Sequence, residues 1–173
     1  METHAKESKK QGIAFAFSEY VIERLKQDNA FGARLKRADN PATEYQAWEY
    51  LSPWCDLEKP WERQPFMTVS AALARAKPLK DGNLGIGRSI AACYRDGNKD
   101  DSAKSKLRRL LACDTFEEVC RVIRPILRLV QSRGVPICYG ILLEQLLWFG
   151  EKQKLKWATD FYGRKEDHDR IGA

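Results

Sequence analysis

Arginine and lysine side chains are the residues of this sequence whose grouping best suits one kind of chemistry, the binding of anions. Between residues 102 and 133 basic residues outnumber acidic ones by eight to three, an excess close to the net charge of +6 of the whole 173-residue chain. Such a local concentration favours contact with an anionic partner. The basic residues of this segment are Lys104, Lys106, Arg108, Arg109, Arg121, Arg124, Arg128 and Arg133.

The spacing within this segment predicts that several of these side chains share one surface. Arg121, Arg124 and Arg128 lie at i, i+3 and i+7, which places them on one face of a helix, opposite its apolar face. Lys104 and Arg108 form an i, i+4 pair on the preceding helix. Two neighbouring helices would therefore present a strip of positive charge suited to a row of phosphates. The alternative is a solvated face whose arginines pair with acidic neighbours.

Three further basic sites accompany this segment. Arg88 follows Gly85-Ile86-Gly87 at a predicted helix start, where backbone N–H groups would add donors to a phosphate site. The two remaining sites are clusters of a kind that is also common on ordinary protein surfaces. One cluster comprises Arg34, Lys36 and Arg37, and the other comprises Lys152, Lys154 and Lys156.

Motifs of the common enzyme classes do not occur in this sequence. The two histidines, His4 and His168, lie in polar terminal segments, and neither a P-loop nor a Gly-x-Ser-x-Gly motif is found. Glu117 and Glu118 are adjacent carboxylates, but they fall in the first turn of a predicted helix, where their negative charge interacts favourably with the helix dipole. We therefore expect no catalytic residue, no metal site and no cofactor.

The cysteines and the apolar segments indicate a soluble protein of the cytoplasm. The five cysteines form no Cys-x-x-Cys motif and are odd in number, which argues against a zinc ribbon or a disulfide framework. Reduced, mostly buried thiols are expected instead. No secretory signal is visible, and no apolar stretch approaches the roughly 20 residues that span a bilayer.

The five tryptophans are a high number for a chain of this length. Trp148 and Trp157 fall in the apolar C-terminal segments and are predicted to be core residues. Trp48, Trp54 and Trp61 cluster around a proline-rich stretch. Core packing is the favoured interpretation for these three, with stacking on bases or packing against a partner subunit as alternatives.

The elements that position these residues are predicted to be helices only. No hairpin signal and no period-two run occurs, so we expect an all-α protein of two small helical lobes without a β-sheet. The predicted lobes span residues 11–95 and 100–163, and residues 1–10 and 164–173 are predicted to be flexible tails. The clearest helix begins with the capping box Thr115–Glu118 and carries an apolar face, and Pro125 inside this helix is expected to kink it.

Several stretches, taken in order, resemble one protein family. They are FGARLKRA, AWEYLSPW, GIGRSIA and the long segment KSKLRRLLACDTFEEVCRVIRPILRLVQSRGVPICYGILLEQLLWFGEKQKLKWATDFYG. Together they resemble the small subunit of the type I-E CRISPR Cascade surveillance complex over roughly residues 13–163. No single motif is diagnostic, and the order and spacing of the stretches carry the resemblance.

The resemblance implies a non-catalytic protein of an antiviral defence complex guided by crRNA. Its expected partners are the guide-binding backbone subunits, the large subunit, a second copy of itself, and the target and displaced DNA strands of an R-loop. A sequence-blind basic surface suffices for this role, because guide pairing reads the sequence. The alternative is an α-helical protein-interaction scaffold that binds no nucleic acid. The predicted nucleic-acid-binding residues are Arg34, Lys36, Arg37, Arg88, Lys104, Arg108, Arg109, Arg121, Arg124, Arg128, Lys152 and Lys156.

Overall fold

The computed structural model describes the backbone of residues 2–163 and the side chains of residues 12–163. Over this range the secondary structure is helical, which confirms the all-α prediction. No strand forms among the described residues, where the β-structure is limited to one isolated bridge between Leu84 and Ile137. The α-helices are α1 (Glu2–Leu25), α2 (Asn29–Leu35), α3 (Trp48–Leu51), α4 (Pro60–Ala76), α5 (Ile86–Ala92), α6 (Asp101–Leu111), α7 (Phe116–Ser132), α8 (Tyr139–Leu147) and α9 (Glu151–Tyr162).

The helices group into two compact units that do not follow chain order. The first unit comprises residues 1–82 and 138–148, and so contains α1 to α4 and α8. The second comprises residues 83–137 and 149–173, and so contains α5 to α7 and α9. These boundaries differ from the expected lobes 11–95 and 100–163 because α5 packs on α9, whereas α8 packs on α1 and α4.

The first unit is built around α8 and a cluster of aromatic residues. Phe17, Phe31 and Phe66 are almost completely buried, and Phe17 and Phe66 meet edge to face with ring centroids 4.8 Å apart. A Cβ atom at Gly140 of α8 would lie 2.6 Å from the ring of Phe15 in α1. The glycine therefore allows these two helices to approach each other closely.

Helix α4 shows how packing overrides a local signal. The prolines of residues 52–65 predicted a loop or an interrupted helix, but α4 begins at Pro60 and continues through Pro65. Pro60 occupies the first turn, where its missing N–H costs nothing. Pro65 lacks a helical donor, yet every residue of the range 65–74 is buried, and this apolar packing offsets the loss.

Helix α8 receives its N-terminal cap from a distant part of the first unit. The Asp81 carboxylate accepts hydrogen bonds from the backbone N–H groups of Tyr139 at 2.7 Å and Gly140 at 3.0 Å. The Cys138 thiol lies 3.5 Å from the same carboxylate. Cys138 itself, at the N-cap position, makes no capping bond through its side chain, so Asp81 satisfies donors that the local sequence leaves unpaired.

The second unit contains the most amphipathic helix, α7. Its buried residues include Val119, Cys120, Ile123, Leu127 and Val130, as their spacing predicts. The cap differs in one detail from the predicted box. The Thr115 hydroxyl accepts from the N–H of Glu118 at 3.2 Å, but the Glu118 carboxylate accepts from the N–H of Asp114 at 2.8 Å.

Element boundaries differ from the prediction mainly at N-termini. Helix α1 begins at Glu2, nine residues before residue 11, where the predicted first lobe begins, because the intervening residues are mostly good helix formers such as Ala, Lys and Glu. Helix α8 begins at Tyr139 and not at residue 135, since the preceding residues include the bridge at Ile137. The predicted tail at 164–173 lies outside the described residues.

Candidate nucleic-acid interface

Helix α6 turns two arginines towards solvent because its other side is anchored in the core. Ala103, Leu107 and Leu110 are buried, whereas Arg108 and Arg109 are exposed. The helix is capped by Asp100, whose carboxylate accepts from the N–H groups of residues 102 and 103 at 2.8 and 3.0 Å. The cap fixes the start of the helix and with it the direction of both arginines.

Helix α7 packs against α6 and carries the three spaced arginines. Arg121 and Arg128 are exposed, as expected for the face opposite the apolar one. Arg124 is half-buried at the edge of that face, and its Nε atom is buried without a hydrogen-bond partner among the described residues. The predicted strip on this helix is therefore formed by two open side chains and one that is partly sequestered.

The five arginines Arg108, Arg109, Arg121, Arg124 and Arg128 are called here the α6–α7 arginine set. Within the described part of the chain, none of the five forms an ion pair with a carboxylate. The acidic pairing that the alternative interpretation required is thus not found there. Exposed guanidinium groups without a counter-charge keep their donors available for bidentate contacts to phosphate.

The lysines near this set are arranged differently from one another. Lys104 is half-buried and lies 3.8 Å from the carboxylate of Asp101. In α9, Lys152 and Lys156 are exposed, whereas Lys154 pairs with Asp114 at 3.3 Å. Lys154 therefore links α9 to the loop before α7, a structural role that takes it out of the predicted lysine cluster.

Arg88 occupies a helix start that already holds a carboxylate. Its backbone N–H donates to Oδ2 of Asp160 at 2.9 Å, and its Nε atom lies 3.3 Å from Oδ1 of the same group. Gly87 brings α5 against the backbone of α9, where a Cβ atom would lie 2.6 Å from the nitrogen of Phe161. The backbone N–H of Arg88 that was expected for phosphate is therefore used within the fold, although the Arg88 side chain is exposed.

The basic cluster of the first unit is only partly compensated. Arg34 forms an ion pair with Glu49 and donates to the Tyr50 hydroxyl at 2.7 Å, and the contacts with Tyr50 and then Glu49 raise its pKa. Arg37 donates at 2.9 Å to the amide oxygen of Gln46, a neutral acceptor. The side chain of Lys36 has no ion-pair or hydrogen-bond partner among the described residues.

Comparison with known proteins assigns the family. Residues 32–162 match the family of the CRISPR-associated protein Cse2. The chain belongs to the Cse2 family. No curated protein matches it, so the assignment rests on the family match.

Solved structures share the fold of this Cse2 family member. A chain of a CRISPR RNA-guided surveillance complex aligns with a TM-score of 0.75 and 23% identity, covering 95% of this chain and 99% of that one. CasB from Thermus thermophilus aligns with a TM-score of 0.68 and 21% identity, over 87% and 98% of the two chains. CasB from M. ruber gives 0.66 and 22%, over 92% and 99%. At these identities the likeness establishes the fold.

The tryptophans of the Cse2 chain are divided between core and surface. Trp157 is buried and Trp148 is half-buried. Trp54 is half-buried and packs on Phe17 with ring centroids 5.3 Å apart. The prediction that Trp48 and Trp61 are core residues is wrong, since they are 38% and 51% exposed. Their exposure reflects the segment of residues 44–61, which forms short helical pieces with few buried positions.

Sequence reasoning missed Tyr45, which is 59% exposed and precedes Gln46, the hydrogen-bond partner of Arg37. The available signal was its position three residues before Trp48 in a short helical segment. It was not used because a single tyrosine in a polar stretch has no distinctive pattern.

The cysteines behave as expected for buried thiols. All five are free, and Cys93, Cys113, Cys120 and Cys138 are buried. Burial raises the pKa of Cys55 to about 12 and that of Cys138 to about 11. Among the described residues, no group of three or more His, Cys, Asp or Glu side chains is placed to hold a metal ion. The helices of the described part include none that is long and apolar enough to cross a membrane.

Proposed function

We propose that this chain is the non-catalytic small subunit of a crRNA-guided CRISPR interference complex of type I-E. Its role is to hold target and displaced DNA strands of an R-loop by sequence-independent contacts and to support assembly of the complex in the cytoplasm. Membership of the Cse2 family supports this proposal, as does the fold shared with a chain of an RNA-guided surveillance complex. The expected protein partners are the guide-binding backbone subunits, the large subunit and a second copy of the chain.

The observation that carries the nucleic-acid part of the proposal is that the α6–α7 arginine set has no carboxylate partners within residues 12–163. Each exposed guanidinium can neutralise a phosphate and release a counterion, which favours binding to any sequence. Arginine also matches phosphate oxygens with two parallel hydrogen bonds. Because the guide supplies sequence recognition by base pairing, contacts of this kind are sufficient for a subunit that stabilises an opened duplex.

The other predicted residues are expected to contribute less to phosphate binding, depending on whether they face a carboxylate and on how exposed they are. Arg34, Arg88 and Lys104 each face a carboxylate of the chain, so their net attraction for phosphate is reduced. Lys36, Arg37, Lys152 and Lys156 are exposed and contribute as secondary contacts, the lysines as point charges.

The decisive experiment measures binding to a short single strand and to an R-loop substrate at about 50 and about 200 mM salt. The double variant Arg108→Ala/Arg128→Ala is compared with the control Arg34→Ala/Arg88→Ala, in which both arginines are paired with carboxylates. We expect the first variant to lower the slope of log K against log salt by about 1.5, equally for unrelated sequences. The control should change the slope by less than half as much.

An unchanged slope and affinity for the Arg108→Ala/Arg128→Ala variant would falsify the assignment of the arginine set. The measurement is made with the full chain alone and again with the chain assembled with its partner subunits. The second format detects contacts that form only within the complex.

A second candidate function is an adaptor that contacts proteins only. Trp61 and Leu155 favour it, because they are 51% and 60% exposed and large apolar side chains at a surface commonly mark protein contacts. An adaptor of this kind binds neither DNA nor RNA at any salt concentration. It still co-purifies with the guide-binding subunits, and this combination of results separates the two functions.

A further inference from the structure

Two exposed aromatic residues lie three positions apart in the first unit. Tyr45 belongs to the 3-10 turn Glu44–Ala47, and the backbone N–H of Trp48 bonds to the carbonyl of Tyr45. In a 3-10 turn the side chains at i and i+3 point in the same direction. Tyr45 is 59% exposed and Trp48 is 38% exposed, so both rings present surface to solvent.

The remaining aromatic residues of this region form contacts with one another. Phe17, Tyr20, Phe31, Tyr50, Trp54 and Phe66 are joined by edge-to-face or tilted ring contacts at 4.8 to 6.1 Å. Neither Tyr45 nor Trp48 takes part in a ring contact within the described part of the chain. Their ring faces are therefore not used in the packing of the aromatic cluster.

Positive charge without a counter-charge lies next to this pair. Arg37 is bonded to Gln46, the residue between the two rings in sequence, and a neutral amide leaves the guanidinium charge uncompensated. The side chain of Lys36 has no ion-pair or hydrogen-bond partner among the described residues. The two neighbouring acidic residues are engaged, Glu49 by Arg34 and Glu44 at 4.0 Å by Arg63. Arg37, bonded to the residue that follows Tyr45, therefore has no carboxylate partner among the described residues.

We propose that Tyr45 and Trp48, together with Lys36 and Arg37, form a stacking platform for unpaired bases of a single-stranded nucleic acid. Aromatic faces bind any base by stacking, and adjacent cations hold the phosphates between bases. This proposal rests on the proposed function and adds a second mode of contact to it. The α6–α7 arginine set binds through the phosphate charge only, whereas this platform distinguishes single strands with accessible bases from duplexes.

The test compares two labelled single strands of about 16 nucleotides, a length matched to such sites. One is oligothymidine, and the other has the same backbone but abasic sugars, so that both carry equal phosphate charge. Binding to the full-length protein is followed by fluorescence anisotropy at about 50 mM salt. The wild-type protein should bind the thymine strand about five- to tenfold more tightly than the abasic strand.

Variants identify the residues. Trp48→Ala and Tyr45→Ala should each remove most of the preference for bases and leave the salt slope unchanged, and Trp48→Phe should restore much of it. Trp61→Ala is the matched control, because Trp61 is equally exposed but lies close in sequence to Asp56, Glu58 and Glu62. Thermal unfolding of each variant confirms that its fold is intact.

Each of four results overturns the inference. Equal affinity of the wild-type protein for thymine and abasic strands refutes the platform but leaves the arginine set standing. Equal weakening of binding by Trp61→Ala and Trp48→Ala also refutes the platform and leaves the arginine set standing. So does a Trp48→Ala variant that impairs only co-purification with partner subunits, a result that makes the surface a protein interface. Failure of the isolated chain to bind either strand at low salt overturns the platform, and failure of the assembled complex as well overturns the nucleic-acid part of the proposed function.

Discussion

Removal of the Asp81 carboxylate is predicted to weaken the first unit selectively. Two backbone N–H groups at the start of α8 donate to this carboxylate at 2.7 and 3.0 Å, and both belong to the first turn of a helix packed on α1 and α4. A lost cap bond costs about 1 kcal/mol, and a negative charge at a helix N-terminus contributes about 0.3–1 kcal/mol. Asp81→Ala should therefore lower the free energy of unfolding by about 2–3 kcal/mol. Asp81→Asn, which keeps one acceptor, should lower it by about 1 kcal/mol.

The assay is urea unfolding followed by circular dichroism, combined with hydrogen exchange of the α8 amides. Faster exchange is expected at Tyr139 and Gly140 in the Asp81→Ala protein, because their donors become unpaired. Asp96 provides a matched control, since it precedes a 3-10 turn without forming a side-chain cap bond. Asp96→Ala should change stability by less than about 0.5 kcal/mol. A loss below about 0.5 kcal/mol for Asp81→Ala, or unchanged exchange at α8, would refute the assignment of the cap.

Two further predictions concern packing and pH. Gly87→Ala should destabilise the second unit by about 2–3 kcal/mol, because the added methyl group meets the backbone of α9. Gly12→Ala is the control, because no atom lies within 4 Å of its new methyl group. It should not destabilise the protein in the same urea titration. Stability should fall as the pH rises above about 9, since burial raises the pKa values of Cys55 and Cys138 from the ordinary 9.0 and only the unfolded state ionises there. Urea midpoints at about pH 8 and about pH 10 measure this loss, and the variant Cys55→Ser/Cys138→Ser should show a smaller one.

The parts of the fold that could be predicted are those in which one local pattern dominates. Helix α7 has apolar residues at helical spacing and a threonine cap, and both features follow from short-range geometry. Helix α4 could not be predicted in the same way, because Pro65 argues against a helix locally. Its position is decided by burial of the range 65–74 against other helices, which the linear sequence does not display.

The cap of α8 was also beyond prediction from the sequence. Asp81 lies 58 residues before Tyr139, and the sequence near Asp81 indicated only a polar loop. The same distance effect explains the division into units. Periodicity identified α5 and α8 as helices, but the partner that each one packs on depends on contacts between distant segments, such as Gly87 against α9.

The candidate interface illustrates the difference between residue type and available charge. In the sequence alone, Arg34, Arg88 and Arg108 are equivalent, since each is an arginine predicted to bind phosphate. In the folded chain, Arg34 is paired with Glu49 and Arg88 with Asp160, whereas Arg108 has no carboxylate partner among the described residues. Since salt bridges at exposed positions are weak, a phosphate can compete for the paired arginines, but it must then displace a carboxylate.

The basic residues of this chain should therefore differ in their affinity for phosphate. An exposed arginine of the α6–α7 set, such as Arg108, gains the full attraction of a phosphate, because binding replaces only water and mobile counterions. An arginine such as Arg88 first loses the contact of its Nε atom with Asp160, and its backbone N–H stays bonded to that carboxylate. Removing the carboxylate with Asp160→Asn should therefore release the Arg88 side chain for phosphate. Under the proposed function, arginines without a carboxylate partner among the described residues and arginines that a carboxylate holds both serve a subunit that meets its strands after the guide has opened the duplex.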